Sequence, residues 1–84
     1  MLSFFVYILF SSSKNKFYVG HTNDLSRRLD EHNSGLSKST KAGKPWVCVY
    51  TSEFSSRSEA MKFESSIKKR GIKRFLDSMN IVTG

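Results

Sequence analysis

FYVGHTNDLSRRLDEH, running from Phe17 to His32, organises the chain around it. An aromatic, β-branched run ends at Gly20, and the group Thr22-Asn23-Asp24 follows. Short polar side chains of that kind accept the backbone N–H groups that a helix start leaves unpaired, and an acid in the first turn suits the helix dipole. The stretch therefore predicts a strand, Lys16 to Gly20, followed by a helix to about Asn33 that stops at Gly35. Gly20, with no Cβ, is expected to allow a sharp turn and a close approach to the backbone.

Working outward, FFVYILF (Phe4–Phe10) is an uninterrupted apolar run, as in a central strand covered on both faces. Ser11–Asn15 reads as a loop, so the first two strands form an antiparallel hairpin. A polar loop carrying Lys38, Lys41 and Lys44 runs from Ser37 to Lys44 and is closed by Pro45. WVCVYTSEF (Trp46–Phe54) is a third strand, with Trp46, Cys48 and Tyr50 alternating against Val47, Val49 and Thr51. Ser56-Arg57-Ser58-Glu59 is a capping box, opening a helix to about Arg70. Gly71 interrupts it, and a last helix spans Ile72 to about Asn80. The order ββαβαα gives an α/β fold, a small three-stranded antiparallel sheet flanked by helices. The most apolar strand, the first, belongs in the middle, with a right-handed crossover from strand two to strand three.

The 84 residues suit one domain, residues 1–84. The lone Cys48 excludes an internal disulfide, and no Cys–His pairing suggests structural zinc. Cys48 and Trp46 read as core residues. The apolar opening lacks a basic leader and is far below the roughly 18 residues of a membrane span, so a cytoplasmic protein without membrane association is expected. Fourteen Lys and Arg against seven Asp and Glu give a net charge of +7. Five of those cations, Lys68, Lys69, Arg70, Lys73 and Arg74, crowd into one short segment. Such a surface suits a phosphate backbone, although a solvated basic face has the same composition.

Three features exceed what a packed core requires. Tyr7 and Tyr18 fall on the same sheet face if the hairpin loop has an even number of residues, and on opposite faces if it is odd. On a helical wheel Arg28 and His32 border the stripe marked by Leu25 and Leu29, whereas Arg27 points to water. A guanidinium there takes a protein carboxylate or a substrate phosphate, or snorkels outward. Glu64 lies inside the apolar arc of Ala60, Phe63 and Ile67, where an ionised carboxylate needs compensation. An ion pair with Arg28 or a lysine would supply it, and so would a bound cation.

Phe5-Val6-Tyr7, Tyr18-Val19-Gly20, HTNDLSRRLDEHNSG and SEAMKFESSIKK together resemble the GIY-YIG nuclease domain, from about Phe4 to Arg74. Pro45-Trp46 opening the third strand is similar to its small stand-alone bacterial branch. The resemblance implies a divalent-metal-dependent endonuclease using one Mg²⁺ or Mn²⁺. It implies Tyr7, Tyr18, Arg28, His32 and Glu64 as catalytic residues, with Glu64 the metal ligand and Gly20 the closing glycine of the second motif. His21 stands where several relatives carry a lysine, as a possible assisting group, and Phe5 replaces the first glycine of the first motif. Hydrolysis would use Glu64 to hold the metal and Arg28 to clamp the phosphate. One tyrosine, its pKa lowered by nearby positive charge, would take the proton from water; sequence does not choose between them. Lys38, Lys41, Lys44, Lys68, Lys69, Arg70, Lys73 and Arg74 would contact nucleic-acid phosphates, most simply those of DNA, with RNA left open. Without an attached specificity domain, recognition is expected to be structure-selective or weakly sequence-specific. The protein would act as a monomer or weak homodimer. The alternative is a non-catalytic nucleic-acid-binding module with the same basic surface.

Overall fold

The structure is a computed structural model that describes residues 3–36, 38 and 40–80. Ser37, the first residue of the expected lysine loop, lies outside them. The elements follow the order β1 (Phe4–Ser11), β2 (Lys16–Thr22), α1 (Leu25–Ser34), β3 (Trp46–Phe54), α2 (Arg57–Arg70) and α3 (Ile72–Ser78). The sheet order is β2-β1-β3 and both pairings are antiparallel. The expected fold, with the most apolar strand central, is the observed one.

Each element has a local cause. Asp24 caps α1 by accepting from the Arg27 N–H at 3.1 Å, so the acid expected in the first turn is the cap itself. Gly35, at φ 86°, ends that helix in the left-handed conformation and donates its N–H to the Glu31 carbonyl. Ser56 accepts from the Glu59 N–H at 3.2 Å and donates its hydroxyl to the Glu59 carboxylate at 3.1 Å, beginning α2. Gly71, at φ 97°, separates α2 from α3. The last helix ends at Ser78, slightly short of Asn80. Within the expected lysine loop, Lys41–Gly43 forms a 3-10 turn.

The sheet has a core on each face. Val6, Ile8 and Val19 face Ala60, Ile67, Phe75 and Leu76 of α2 and α3. Tyr7, Leu9 and Trp46 pack with Tyr18, Leu25, Leu29 and Cys48 on the α1 side. Fully burying an aliphatic side chain contributes roughly 1.5–3 kcal/mol, and β1 does so on both faces.

The strict alternation expected in β3 is interrupted. Leu9 pairs with Cys48 but Ile8 pairs with Tyr50, so Val49 is an extra residue, a β-bulge. Trp46 and Cys48 therefore face α1, whereas Tyr50 turns to the other core and meets Phe75 edge-on, ring centroids 5.1 Å apart.

Ile67 is fully buried between α2 and the sheet. Ile67→Ala is expected to lose about 2–5 kcal/mol of stability, read as a lower urea midpoint with an unchanged m-value.

Candidate active site at the edge strand

The hairpin loop, residues 12–15, holds an even number of residues, and the register pairs Tyr7 with Gly20 and Leu9 with Tyr18. The tyrosines thus share the α1 face as diagonal neighbours, ring centroids 6.3 Å apart. Gly20 is not the turn expected from sequence, because β2 continues through it to Thr22. Its role is spatial. A Cβ at residue 20 would come within 2.7 Å of the Tyr7 hydroxyl oxygen and 2.9 Å of Cζ, so the Tyr7 phenol lies across the strand in the space a side chain would fill.

Tyr7 is 1% exposed, and its hydroxyl is hydrogen-bonded to His32 Nε2 at 3.0 Å. His32 Nδ1 in turn meets Thr40 Oγ1 at 2.6 Å, and the Thr40 carbonyl accepts from Trp46 Nε1 at 2.7 Å. This buried chain fixes the imidazole through both nitrogens. Asn33 adds a second clasp, accepting from the Trp46 N–H at 2.6 Å and donating to its carbonyl at 3.0 Å, which ties α1 to the start of β3. Tyr18 is half-buried, with its ring centroid 5.0 Å from that of His32.

Arg28 donates to Glu31 at 2.8 Å, and its guanidinium lies near enough to the hydroxyls of Tyr7 and Tyr18 to interact with both. The Glu31 bond, then the Tyr7 hydroxyl, raise the Arg28 pKa above its ordinary value. Arg27 is exposed and faces Asp24 at 3.8 Å, as the helical wheel requires. Burial pushes the Tyr7 pKa up to about 12, outweighing the lowering effect of Arg28. Sequence reasoning had positive charge lowering the pKa of whichever tyrosine acts as base; for Tyr7, desolvation reverses the sign. Burial, then the Arg28 charge, lower the His32 pKa and favour neutral imidazole.

Glu64 reaches the cluster from the other side of the edge strand. Its Oε1 meets His21 Nδ1 at 2.6 Å and its Oε2 accepts from Lys68 Nζ at 2.8 Å. Burial alone would raise its pKa, but the Lys68 and His21 hydrogen bonds hold the carboxyl below its usual range. Its charge is felt at Tyr7. Compensation therefore comes from a lysine and a histidine, and Arg28 takes Glu31 instead. Among the described residues no three His, Cys, Asp or Glu side chains converge as a ligand group. The donor set still fits one hard cation, because a single ionised carboxylate is a sufficient protein anchor for Mg²⁺. Lys68, with a side chain 58% exposed on a flexible stem, is an exchangeable partner for Oε2.

Lys38, Lys41, Lys44, Lys69, Arg70, Lys73 and Arg74 are all exposed. Lys41 and Lys44 lie beside Gly35 at the C-terminal end of α1, where cations suit the helix dipole. Lys69 instead borders an open groove of about 680 Å³ on the outer face of α2, with Arg57, Met61 and Lys62. That groove contains none of the site tyrosines, Arg28 or Glu64. Sequence reasoning missed Thr40, Asn33 and Glu31 as supporting residues. Only Glu31, three residues after Arg28, carried a spacing signal, as did Lys68 four residues after Glu64.

A compact α/β domain with paired tyrosines, an arginine and a carboxylate gathered around one edge strand has the layout of a nuclease catalytic domain. The family model for the GIY-YIG catalytic domain matches residues 3–75, and the chain belongs to that family. A UPF0213 protein of Listeria innocua is 42% identical over 66 residues, covering 77% of this chain and 72% of its own length. One from Staphylococcus haemolyticus is 42% identical over 69 residues, covering 81% and 83%. The solution NMR structure of a UPF0213 protein from Bacillus halodurans superposes with a TM-score of 0.57 at 31% identity, covering 94% of this chain and 84% of that one. The family implies a nucleic-acid substrate. Among the described residues no helix is long and apolar enough to cross a membrane.

Two measurements check this geometry. Gly20→Ala should cost about 1–3 kcal/mol, since Tyr7 has no room to retreat; combined with Tyr7→Ala it should cost less than the sum of the two. The lowered His32 pKa means that the unfolded chain binds a proton there before the folded one does. Stability should therefore fall as pH drops below about 6.5, the unfolded value, toward the folded pKa. The groups facing His32 are Arg28 and Glu31 on its own helix, with Tyr7, Tyr18 and Thr40 opposite. Thermal melting between pH 7.5 and 5 should show the fall, with a flatter profile in His32→Gln.

Proposed function

We propose that the chain is a divalent-metal-dependent endonuclease hydrolysing phosphodiester bonds in DNA, with selectivity for structure more than sequence. The observation carrying this reading is the gathering of Tyr7, Tyr18 and His32 on one sheet face, with the tyrosine rings 6.3 Å apart, the Arg28 guanidinium nearby and Glu64 held ionised across the edge strand. In phosphodiester hydrolysis a water loses a proton, negative charge grows on the phosphoryl oxygens, and an oxygen leaves.

Each demand has a residue. Arg28 carries five N–H donors; one is committed to Glu31, and the guanidinium, lying near the tyrosine hydroxyls, has others to offer an incoming phosphate. Tyr7, held neutral by burial and tied to His32, orients the water or phosphate. Tyr18, the more accessible of the pair, is then the group placed to accept the proton from water. His32 acts through Tyr7, its own position set by Thr40. Glu64 would hold Mg²⁺ or Mn²⁺, with Lys68 the exchangeable partner of its carboxylate and His21 steadying Oε1. The metal supplies Lewis-acid stabilisation of the leaving oxygen. Lys38, Lys41, Lys44 and the Lys73–Arg74 pair grip backbone phosphates, making binding strongly salt-sensitive.

A second reading, binding without cleavage, is favoured by one fact: both oxygens of Glu64 already have partners, His21 on one and Lys68 on the other. Cleavage of duplex, branched and single-stranded DNA with Mg²⁺ or Mn²⁺ separates the two. Arg28→Ala and Glu64→Gln should each lower the rate about 10²–10³-fold, the scale for losing one charge-stabilising contact, and EDTA should abolish it. Mn²⁺ titration followed by electron paramagnetic resonance should show binding that Glu64→Gln removes and Lys68→Met tightens several-fold. DNA binding with neither cleavage nor metal uptake would establish the second reading.

A further inference from the structure

A cavity of about 290 Å³ opens beside Tyr18, between β2 and the 3-10 turn. Its walls include Tyr18, Trp46 and Phe17, together with Ala42 and Gly43 of the turn. Lys14 and Lys16 also line it and are exposed, and no acidic residue does. Neither lysine has a place in the mechanism above. Tyr18 belongs to both the cavity and the site, so whatever fills the cavity lies next to the phosphate at Arg28.

The cavity is built on a fixed floor. A Cβ at Gly43 would come within 2.3 Å of Trp46 Cζ2, so the turn's backbone presses directly on the indole. The indole N–H is held by the Thr40 carbonyl, and Tyr18 meets the ring edge-on at a 6.4 Å centroid distance. Trp46 is also clasped through its backbone by Asn33. An aromatic floor with ammonium groups at its rim matches a nucleotide: a flat base against rings and a phosphate against lysines. A bare anion would leave the aromatic floor unused. A base paired within a duplex is shut inside its stack and reaches such a cavity only by leaving it.

We propose that this cavity binds one unpaired nucleotide immediately flanking the cut phosphate, its base against Tyr18 and Trp46 and its own phosphate at Lys14 and Lys16. The proposal rests on the nuclease reading and narrows its substrate class to strands with an unstacked nucleotide beside the scissile bond.

The test uses the full chain in EDTA, so that binding is read without cleavage. Fluorescence anisotropy compares three labelled DNAs of equal length: a perfect duplex, the same duplex with a one-nucleotide bulge, and that bulge made abasic. The base-containing bulge should bind about tenfold more tightly than either of the others, the scale of stacking one base on aromatic side chains. Trp46 is the chain's single tryptophan, so its emission should change with that DNA and not with the abasic one. Ala42→Phe, which fills the cavity without altering charge, should remove the preference and keep duplex affinity. Lys16→Gln should weaken the preference as well, and thermal melting verifies that both variants fold. Equal affinity for bulge and duplex, equal affinity for the abasic bulge, or a preference that survives in folded Ala42→Phe would each overturn the proposal. Failure to bind any of the three at low salt would overturn the nuclease reading as well.

Discussion

The absence of a side chain at residue 20 lets the rest of the site exist. Tyr7 stands on the central strand, surrounded by core, and its hydroxyl becomes useful only by crossing the neighbouring strand. A single methyl group there would collide with the phenol. Once the ring lies across Gly20, its hydroxyl meets His32 of α1, with the Arg28 guanidinium of the preceding turn nearby. Three elements thereby share one polar point in an otherwise apolar layer. Burial sets the chemistry that follows, since desolvation outweighs the neighbouring guanidinium and keeps Tyr7 protonated. The less buried Tyr18 is left as the partner that solvent and substrate can reach.

Charge is arranged around the strand edge with similar economy. Glu64 belongs to the helix that packs on the opposite face, yet its negative charge is felt at Tyr7. In a chain of net charge +7 the carboxylate is kept ionised by two basic neighbours. His21 stands on a strand, and Lys68 reaches Glu64 with a long, exposed side chain. One oxygen is held by a strand residue and the other by an exposed side chain.

Much of this could be read in the residues, and what could not has a physical cause. Periodicity and caps placed every helix and strand, because Asp24, Gly35, Ser56 and Gly71 act on their immediate neighbours. The helical wheels separated Arg28 from Arg27 and put Glu64 among apolar residues, since angular position depends on spacing alone. The direction of the Tyr7 pKa was not legible, because it depends on depth and not on which charges lie nearby. The support from Thr40 and Asn33 was invisible for another reason: a polar residue in a loop gives no hint of what the fold will bring to it. At Gly20 the expected turn is absent, and the close approach that glycine permits is made by the phenol of a residue thirteen positions earlier, a pairing that only the fold creates. The even-length hairpin loop decided the shared face of the tyrosines, as parity requires, but the register made them diagonal and not directly opposed.

The extra residue in β3 has a consequence for how this chain can vary. Because Val49 shifts the phase of the pleat, Trp46 and Cys48 serve one layer while Tyr50 serves the other. Deleting that one residue would leave Leu9 opposite Cys48 and Ile8 opposite Tyr50 in an unbroken ladder, so each flanking side chain would keep its layer and only the local bend would be lost. β3 can therefore shorten at Val49 without disturbing either core, whereas the loss of a paired residue would carry the side chains beyond it to the opposite face.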